Sequence, residues 1–562
     1  MVKKSTVLPL KNTVGLLIKC LLALVVIITM ATCAKQGSPS GGPIDSLPPV
    51  FVKSDPPNYT TNFEEQHIRI YFDEYVKLDN YQKQLIISPP LKYTTVSPQG
   101  TAAKYVSIEI RDTLEANTTY VFNFGQSIVD NNESNPYSYF KYIFSTGDYI
   151  DSLTVKGSIK DAILRETESF ISVMLYAVDS AYTDSTAYKE APRYVTNTLD
   201  SLTDFELTNL KEGTYALVGI KDENSDFKYQ PSSDKIAFLD EYITVPKDTT
   251  YALTIFKEVP ELKVGRPRQA AAQRINFGYT GDGDSLKINL LSSIPSPIET
   301  VITKKENIDT LQYWFKPEIE ADSLNFELST ATFKDTVTTR LRTLQADSLS
   351  FTSTTGAVLV LGDTFTVSSS IPITTINEEL IQVLDKDSMA VNFSSVLNPK
   401  ESNVKLDFET KEDNQYQIQI LPEALSDFLG NSNDTLSYRV RTREFLNYSD
   451  IELTLVNAKA YPYIVQLLDD RDNLVQERFA TRETVFTFNT LKPGKYYLRL
   501  IEDTNGNGVF DTGNYLEKRQ PERVIYYNEL IDAPEGWFPK KTFTLKDRGT
   551  TTLSSPVEQD NP

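Results

Sequence analysis

Every second residue is apolar in several short segments of the chain, which is the pattern of a β-strand with one buried and one exposed face. Proline, asparagine, aspartate and glycine, the residues that form turns, fill the stretches between these segments. An antiparallel β-sandwich over residues 47–148 is therefore predicted. Its four clearest strands are IRIYF (68–72), YVSIEI (105–110), TYVFNF (119–124) and KYIFST (141–146).

A twenty-residue pattern occurs twice, 281 positions apart. FELTNLKEGTYALVGIKDEN (205–224) and FTFNTLKPGKYYLRLIEDTN (486–505) share the phase of their apolar residues and a central glycine. We predict a strand, a turn and a second strand in both copies. Gly213 is expected to supply a turn conformation that other residues resist. The repeat places similar β-sandwiches at residues 151–260 and 450–548.

A second internal similarity links residues 414–442 to the first sandwich, with an apolar strand, a short amphipathic turn, a polar tip and a return strand in the same order. Between the two repeats, residues 265–350 contain strand-like segments and no helical periodicity of useful length. The 31 tyrosines and 28 phenylalanines also favour β-sandwiches. The predicted fold is all-β, with five tandem sandwiches and a disordered tail at 549–562: module 1 (47–148), module 2 (151–260), module 3 (265–350), module 4 (355–446) and module 5 (450–548).

Module 1 carries a family resemblance in DSLPPVFVKSDPPNYTTNF, IRIYFDEYV, LIISPPL, LEANTTYVFNF and YIFSTG. These phrases resemble the bacterial Ig-like domain first named from the S-layer protein SbsA, and more closely the N-terminal Ig-like domain of a family of Bacteroidota lipoproteins. The repeated phrase of modules 2 and 5 is similar to the prealbumin-like sandwich of carboxypeptidase regulatory and pilin-repeat domains. The resemblances imply Ig-like folds for modules 1 and 4 and prealbumin-like folds for modules 2 and 5.

The first 32 residues contain four lysines, no acidic residue and the apolar run LLALVVIITMAT. This pattern predicts a secretory signal peptide, with an apolar core too short to span a bilayer comfortably. MATC at 30–33 resembles a bacterial lipobox, which implies a lipid on Cys33 and an outer-membrane lipoprotein that faces the periplasm or the cell surface. A plain signal peptide or N-terminal anchor is the alternative. Residues 33–46, rich in Ser, Gly and Pro, are the predicted flexible tether.

Charge and composition exclude several classes of function. A net charge of −20 repels nucleic acid and anionic lipid, so neither is an expected partner. His67 is the only histidine, and no Gly-x-Ser-x-Gly elbow or second thiol in the mature chain accompanies it, so histidine-based nucleophilic catalysis and zinc sites are not expected. Paired carboxylates of a hydrolase stay open, because 76 acidic residues offer many pairs and none stands out. We predict a protein that is not an enzyme.

One loop has the spacing of a calcium site: EDTNGNGVFDTGNY, residues 502–515. Hard oxygen atoms at alternating positions can wrap one ion, and a glycine at position six permits the sharp turn. Asn514 stands where an EF-hand has a bidentate glutamate, and a strand precedes the loop, so an EF-hand is not predicted. The candidate ligands are the side chains of Asp503, Asn505, Asn507 and Asp511 and the carbonyl of Val509.

The alternative for this loop is an Asx-rich turn, in which Asp and Asn side chains bond nearby backbone N–H groups. The first copy of the repeat retains Asp222, Asn224 and Asp226 but has Phe227 in place of the glycine and Gln230 in place of Asp511. The loop is therefore predicted to be structural in both copies, with calcium as a candidate cofactor in the second.

The expected function is that of a cell-envelope lipoprotein that acts as a structural or protein-binding array of Ig-like modules. The expected partners are the membrane, through the N-terminal lipid, and an envelope protein or glycan. A glycan-binding accessory lipoprotein of a polysaccharide-uptake system is the alternative, with exposed tyrosines or the two tryptophans, Trp314 and Trp537, as platforms.

Overall fold

The computed structural model describes residues 45–198, 203–294, 296–304 and 308–546. The predicted signal peptide, Cys33, nearly all of the tether and the predicted tail lie outside these residues. Within them the chain forms many small β-sheets and four helices of three or four residues. The prediction of an all-β fold built from tandem Ig-like sandwiches is confirmed.

Module 1 is a sandwich of two antiparallel sheets. Its elements are β1 (Phe51–Asp55), β2 (His67–Leu78), α1 (Tyr81–Gln84), β3 (Ile86–Ser88), β4 (Thr94–Ser97), β5 (Ala103–Ile110), β6 (Thr119–Asn123), β7 (Ile128–Asp130) and β8 (Lys141–Ser145). One sheet has the order β1-β2-β5-β4 with β7 also on β2, and the other has the order β3-β6-β8. In β2 the side chains of Ile68, Ile70 and Phe72 are buried, as the alternation of IRIYF predicts.

Module 2 has a sheet of order β11-β10-β13-β14, with β15 on β13, packed on a sheet of order β12-β9-β16. The first strand, β9, pairs in parallel with the last, β16, which closes the module. The elements are β9 (Leu153–Asp161), β10 (Ser172–Ala177), α2 (Thr186–Lys189), β11 (Tyr194–Asn197), β12 (Asp204–Leu210), β13 (Gly213–Lys221), β14 (Lys235–Phe238), β15 (Ile243–Val245) and β16 (Thr250–Ile255).

Module 3 is also a sandwich and begins at Lys263, two residues before its predicted boundary. Its sheets have the orders β17-β19-β22-β21, with β18 also on β19, and β20-β23-β24. Its strands are β17 (Lys263–Val264), β18 (Arg268–Ala271), β19 (Arg274–Thr280), β20 (Lys287–Leu290), β21 (Glu299–Lys304), β22 (Thr310–Lys316), β23 (Ser323–Ser329) and β24 (Lys334–Arg340). Trp314 on β22 is fully buried and packs against Ile371 and Phe428 of module 4. One of the two tryptophans therefore seals a joint between modules and offers no platform to a ligand.

Module 4 begins at Phe351, four residues before its predicted boundary. It has sheets of order β25-β26-β30-β29 and β28-β31-β33, and a two-stranded sheet of β27 and β32. Its elements are β25 (Phe351–Ser353), β26 (Phe365–Ser369), β27 (Ile373–Ile376), η1 (Glu378–Leu380), β28 (Ile381–Leu384), β29 (Phe393–Asn398), β30 (Asn403–Phe408), β31 (Gln415–Ile420), β32 (Leu425–Asp427) and β33 (Leu436–Arg441).

Modules 1 and 4 share a tyrosine corner. The Tyr120 hydroxyl accepts the Glu115 N–H at 2.9 Å, and the Tyr416 hydroxyl accepts the Lys411 N–H at 2.6 Å. A threonine completes both corners, because Thr146 and Thr442 donate to the carbonyls of the same two residues at 2.6 and 2.5 Å. The internal similarity in the sequence thus corresponds to the same local structure, 296 positions apart.

Module 5 repeats the topology of module 2: β36-β35-β38-β39 with β40 on β38, and β37-β34-β41 with β34 and β41 parallel. The helix η2 (Phe445–Asn447) precedes it. Its strands are β34 (Ser449–Val456), β35 (Tyr463–Leu468), β36 (Leu474–Ala480), β37 (Val485–Leu491), β38 (Gly494–Glu502), β39 (Val524–Tyr526), β40 (Ile531–Ala533) and β41 (Lys540–Thr544).

The role predicted for Gly213 in the repeated hairpin is wrong. The left-handed residue is Asn209 in the first copy, with φ 59°, and Thr490 in the second, with φ 57°. Gly213 instead makes room for a ring, since a Cβ there would lie 3.3 Å from the Tyr215 side chain. The Tyr215 hydroxyl then reaches back over the glycine and donates to the Lys211 carbonyl at 3.1 Å.

Modules 2 and 5 are in contact although modules 3 and 4 lie between them in the sequence. A hydrophobic cluster on the outer face of the β11-β10-β13-β14 sheet includes Tyr515 of module 5. Ile86 of module 1 joins the same cluster. The chain therefore folds back on itself, and module 2 is the point at which modules 1 and 5 meet. In the described part of the chain, no helix has the length and apolar character needed to cross a membrane.

Candidate functional site

The predicted calcium loop follows β38 and is organised by one buried carboxylate. Asp503 is fully buried, and its two oxygens accept the backbone N–H groups of Gly506, Asn507 and Gly508 at 2.8, 3.2 and 2.9 Å. Three convergent N–H donors compensate the charge that burial would otherwise penalise. Asp503 therefore holds the turn closed.

The first copy of the repeat builds the same turn without glycine. Asp222 accepts the Phe227 N–H at 2.7 Å, the equivalent of the bond from Gly508 to Asp503. Ser225 and Phe227 have φ values of 56° and 57°, where module 5 has glycines at 73° and 80°. Phe227 therefore keeps the left-handed backbone conformation that glycine has at the equivalent position of module 5. The strain of this conformation costs roughly 1 kcal/mol. Burial, the largest effect, raises the pKa of Asp222.

A second carboxylate ties the two ends of each loop together. In module 5, Glu522 accepts the N–H groups of Thr504 and Asp511 at 2.6 and 3.1 Å. In module 2, Asp234 accepts the equivalent N–H groups, from residues 223 and 230, at 3.3 and 2.8 Å. The two loops are thus built in the same way, with a carboxylate at each end that accepts backbone N–H groups of the loop.

The remaining predicted calcium ligands bond one another. The Nδ2 atoms of Asn505 and Asn507 donate to one oxygen of Asp511 at 2.6 and 2.9 Å, and Asn507 Oδ1 accepts the Val509 N–H at 2.9 Å. Among the described residues, no group of three His, Cys, Asp or Glu side chains is placed to hold a metal ion. The geometry is that of an Asx-rich turn, and calcium binding at Asp503, Asn505, Asn507, Val509 and Asp511 stays a prediction.

What distinguishes the second loop is an insertion between its two carboxylate-bound ends. Ten residues, 512–521, connect Asp511 to Glu522, whereas three residues, 231–233, connect Gln230 to Asp234. The inserted segment, called the docking loop below, packs on module 2. Its Tyr515 is 1% exposed and lies against the rings of Phe238, Tyr188 and Tyr229, with centroid distances of 5.3, 6.1 and 6.4 Å.

Polar contacts fix the docking loop on module 2. The Tyr515 N–H donates to the carboxylate of Glu258, whose other oxygen accepts the Tyr229 hydroxyl at 2.6 Å. Burial raises the pKa of both tyrosine hydroxyls, so they are protonated at neutral pH. Further contacts from the docking loop are Thr512 Oγ1 to the Lys257 carbonyl at 2.6 Å, Gln520 Nε2 to the Phe238 carbonyl at 3.1 Å, and Lys518 Nζ to Asp184 at 2.7 Å.

A glycine permits the close approach. A Cβ on Gly513 would lie 2.5 Å from the ring of Phe256 and 2.6 Å from the Arg519 carbonyl. No side chain can occupy that space without a shift of module 2 relative to the loop. Gly513 thus sets how deeply the docking loop sits.

A second contact area joins the outer sheet face of module 5 to module 2. The Ile163 carbonyl accepts Arg499 Nη1 at 3.1 Å and the Tyr526 hydroxyl at 2.6 Å. The Arg165 guanidinium lies 4.1 Å from the centroid of the Tyr497 ring, a cation-π distance. Docking therefore involves the body of module 5 as well as its inserted loop.

The joint between modules 1 and 2 is closed by bonds that the joint between modules 4 and 5 lacks. Arg193 pairs with Glu115 of module 1, and the Val195 N–H donates to Ser88 Oγ at 3.1 Å. At the positions equivalent to Arg193 and Glu115, the second pair has Val475 and Lys411, which cannot form an ion pair. A cleft of about 530 Å³ lies there instead, lined by residues that include Asp363 and Val475.

The sequence reasoning missed Tyr515, Glu258 and Gly513, which carry the docking. The signal was present, because the two copies differ in length immediately after the twenty-residue repeat. His67 lies at the exposed start of β2, opposite Glu109, which agrees with a strand-edge residue.

Comparison with known proteins identifies one part of the chain. The family model of the bacterial Ig-like domain matches residues 45–146, which cover nearly all of module 1. No curated protein matches. Module 1 is thus similar to a bacterial Ig-like domain, as its phrases predict.

Solved structures give only weak overall similarity to this chain. Surface layer protein SbsC, domains 1–6, is 12% identical, with 87% of this chain and 67% of that chain covered and a TM-score of 0.14. The Bacteroides ovatus mixed-linkage glucan utilization protein SGBP-B, solved with a heptasaccharide, is 12% identical, with 68% and 93% covered and a TM-score of 0.17. Scores this low carry no argument about function.

Proposed function

We propose that the chain is an exported lipoprotein, held at the outer membrane through Cys33, whose sandwiches form a non-enzymatic scaffold for an envelope partner. The observation that carries this proposal is the docking of module 5 on module 2 through Tyr515 and Glu258. Flexible strings of domains have no such long-range contacts, whereas a scaffold needs a fixed arrangement of its surfaces. The Ig-like character of module 1 supports a structural or binding role.

Lipid attachment and partner capture test this proposal separately. Cells fed a labelled fatty acid should label the native chain and not the Cys33→Ser variant, and only the native chain should fractionate with the outer membrane. Crosslinking in the intact envelope, followed by mass spectrometry, should give one reproducible partner. Equal labelling of the two chains would contradict the lipoprotein assignment. Catalytic turnover of any ligand by the purified chain would contradict a non-enzymatic role.

A glycan-binding role is the second candidate, and one surface of module 1 favours it. Tyr71 and Tyr105 lie with ring centroids 5.7 Å apart on the β2–β5 pair, and Tyr75 nearby is 55% exposed. Aromatic faces of this kind can stack on sugar rings, although Lys53, Arg69 and Lys104 already approach the three rings within 5.2 to 5.7 Å. A glycan array on which the native chain binds and a Tyr75→Ala/Tyr105→Ala chain does not would support this role, and silence of the native chain would remove it.

A further inference from the structure

Four large apolar side chains are exposed together where module 4 joins module 5. They are called the Trp537 patch and comprise Phe445 (43% exposed), Leu446 (66%), Trp537 (63%) and Phe538 (53%). Scattered apolar residues on a surface need no explanation, but four that neighbouring segments expose together form a candidate interaction site.

Backbone bonds hold the two halves of the patch side by side. The Gly536 N–H donates to the Tyr448 carbonyl at 2.9 Å. The Trp537 carbonyl accepts Ser449 Oγ at 2.7 Å and the Asp450 N–H at 3.1 Å. The patch is therefore a fixed surface, whose aromatic side chains are exposed although their backbone is well bonded.

The aromatic half of the patch belongs to a second insertion in module 5. Six residues, 534–539, connect β40 to β41, whereas four residues, 246–249, make the equivalent connection in module 2. The longer connection contains Trp537 and Phe538. The first insertion of module 5 is a docking element that contacts module 2. The second has the same aromatic character, but no described side chain covers it.

We propose that the Trp537 patch rests on a bilayer of zwitterionic phospholipid. Trp, Phe and Leu are the side chains that enter the region between headgroups and acyl chains most favourably. The lysines beside the patch are neutralised, because Lys540 pairs with Glu452 at 2.9 Å and Lys541 with Glu529 at 3.3 Å. Glu444 and Glu535 flank the patch, so its rim is acidic and would repel anionic headgroups, whereas headgroups without net charge are not repelled.

The placement of a bilayer near this surface rests on the proposed function. If Cys33 carries the lipid, the chain from Cys33 to Asp45 can span at most about 40 Å, so module 1 stays close to the membrane. Module 5 meets module 1 on module 2, so the patch belongs to the same assembly of modules. The patch then supplies a second contact, which would limit the orientations available to the tethered array.

Vesicle flotation tests the proposal with the full-length Cys33→Ser chain, which has no lipid of its own. The probe is a vesicle of phosphatidylcholine and phosphatidylethanolamine. The chain should float with these vesicles, and adding Trp537→Ser and Phe538→Ser should lower the bound fraction at least tenfold. The matched control is Met389→Ser with Val396→Ser, which removes two exposed apolar side chains of module 4 and should change nothing. The emission of Trp537, taken as the difference between chains with and without it, should shift to shorter wavelength on binding.

The proposal is overturned if the Cys33→Ser chain does not float, or if both double variants float equally. It is also overturned if loss of Trp537 abolishes glycan binding or a protein crosslink and leaves flotation unchanged. The proposed function and the bilayer contact fail in different experiments. If the fatty acid does not label Cys33 of the native chain, the lipoprotein assignment is wrong, and the flotation of the Cys33→Ser chain is unaffected.

Discussion

The backbone N–H of Tyr515 donates to the carboxylate of Glu258, 257 positions earlier in the chain. Glu258 is 6% exposed and accepts the Tyr229 hydroxyl as well, so one buried acid satisfies a donor from each of two modules. Buried carboxylates are costly unless they are fully hydrogen-bonded, which makes this contact sensitive to substitution.

Glu258→Ala should destabilise the docked pair of modules by about 2 kcal/mol or more, because it leaves two buried donors without an acceptor. Glu258→Gln retains an acceptor oxygen and should cost less. Hydrogen exchange of the segment 512–521 measures the effect, with faster exchange expected for the alanine variant. Glu261→Gln, at an exposed site close by in the chain, is the control. Exchange that is equally slow in all three variants would show that Glu258 does not hold the docking loop.

Gly513→Ala should loosen the docking loop without damage to either sandwich. The added methyl group would overlap the Phe256 ring, and such overpacking costs about 1 to 3 kcal/mol. Gly356→Ala is the control, because nothing lies within 4 Å of the added Cβ. Calorimetry should show a lower melting temperature for Gly513→Ala alone. Equal melting of the two variants and the native chain would mean that Gly513 is not in close contact with module 2.

Ser225→Gly should stabilise module 2, and Gly508→Ala should destabilise module 5, each by about 1 kcal/mol. Both positions have positive φ, at 56° and 80°, where glycine pays no steric penalty. Denaturant unfolding followed by hydrogen exchange of each loop separates the two modules. Changes of the same sign in both variants would contradict the equivalence of the two turns.

Asp503→Ala should destabilise module 5 in the presence of chelator, since three backbone N–H groups lose their acceptor. The calcium prediction is tested in the same experiment. If calcium binds, it raises the melting temperature of the native chain and leaves that of the Asp511→Asn variant less affected. If the native chain melts identically in calcium and in chelator, the calcium prediction is wrong and the loop is an Asx-rich turn only.

The alternation of apolar residues and the internal repeats predicted most of the fold. Alternation at Ile68, Ile70 and Phe72 predicted a strand because burial of one sheet face imposes that period. The repeat predicted two hairpins of one kind, although the conformation assigned to Gly213 belongs to Asn209. Phe227 shows why such predictions fail: glycine is favoured in a left-handed turn, but two carboxylates can impose the same turn on phenylalanine.

The candidate site was predicted only in part. Spacing alone named Asp503 as a candidate calcium ligand and, in the Asx-rich alternative, as one of the acceptors of nearby N–H groups, because such bonds are local in sequence. The contacts of Tyr515 with Phe238 and Glu258 connect distant modules, and no local period records such pairs. The sequence indicates these contacts only through a difference in length, ten residues at 512–521 against three at 231–233.

Zero-length crosslinking of the native chain tests the central claim that module 5 docks on module 2. A carbodiimide joins an amine to a carboxylate in direct contact, and Lys518 lies 2.7 Å from Asp184 across the interface. The pair Lys540 and Glu452, 2.9 Å apart within module 5, is the internal control. We expect a peptide that joins Lys518 to Asp184 in monomeric protein and that is lost in the Gly513→Ala variant. Recovery of the control peptide without the Lys518–Asp184 peptide would contradict it.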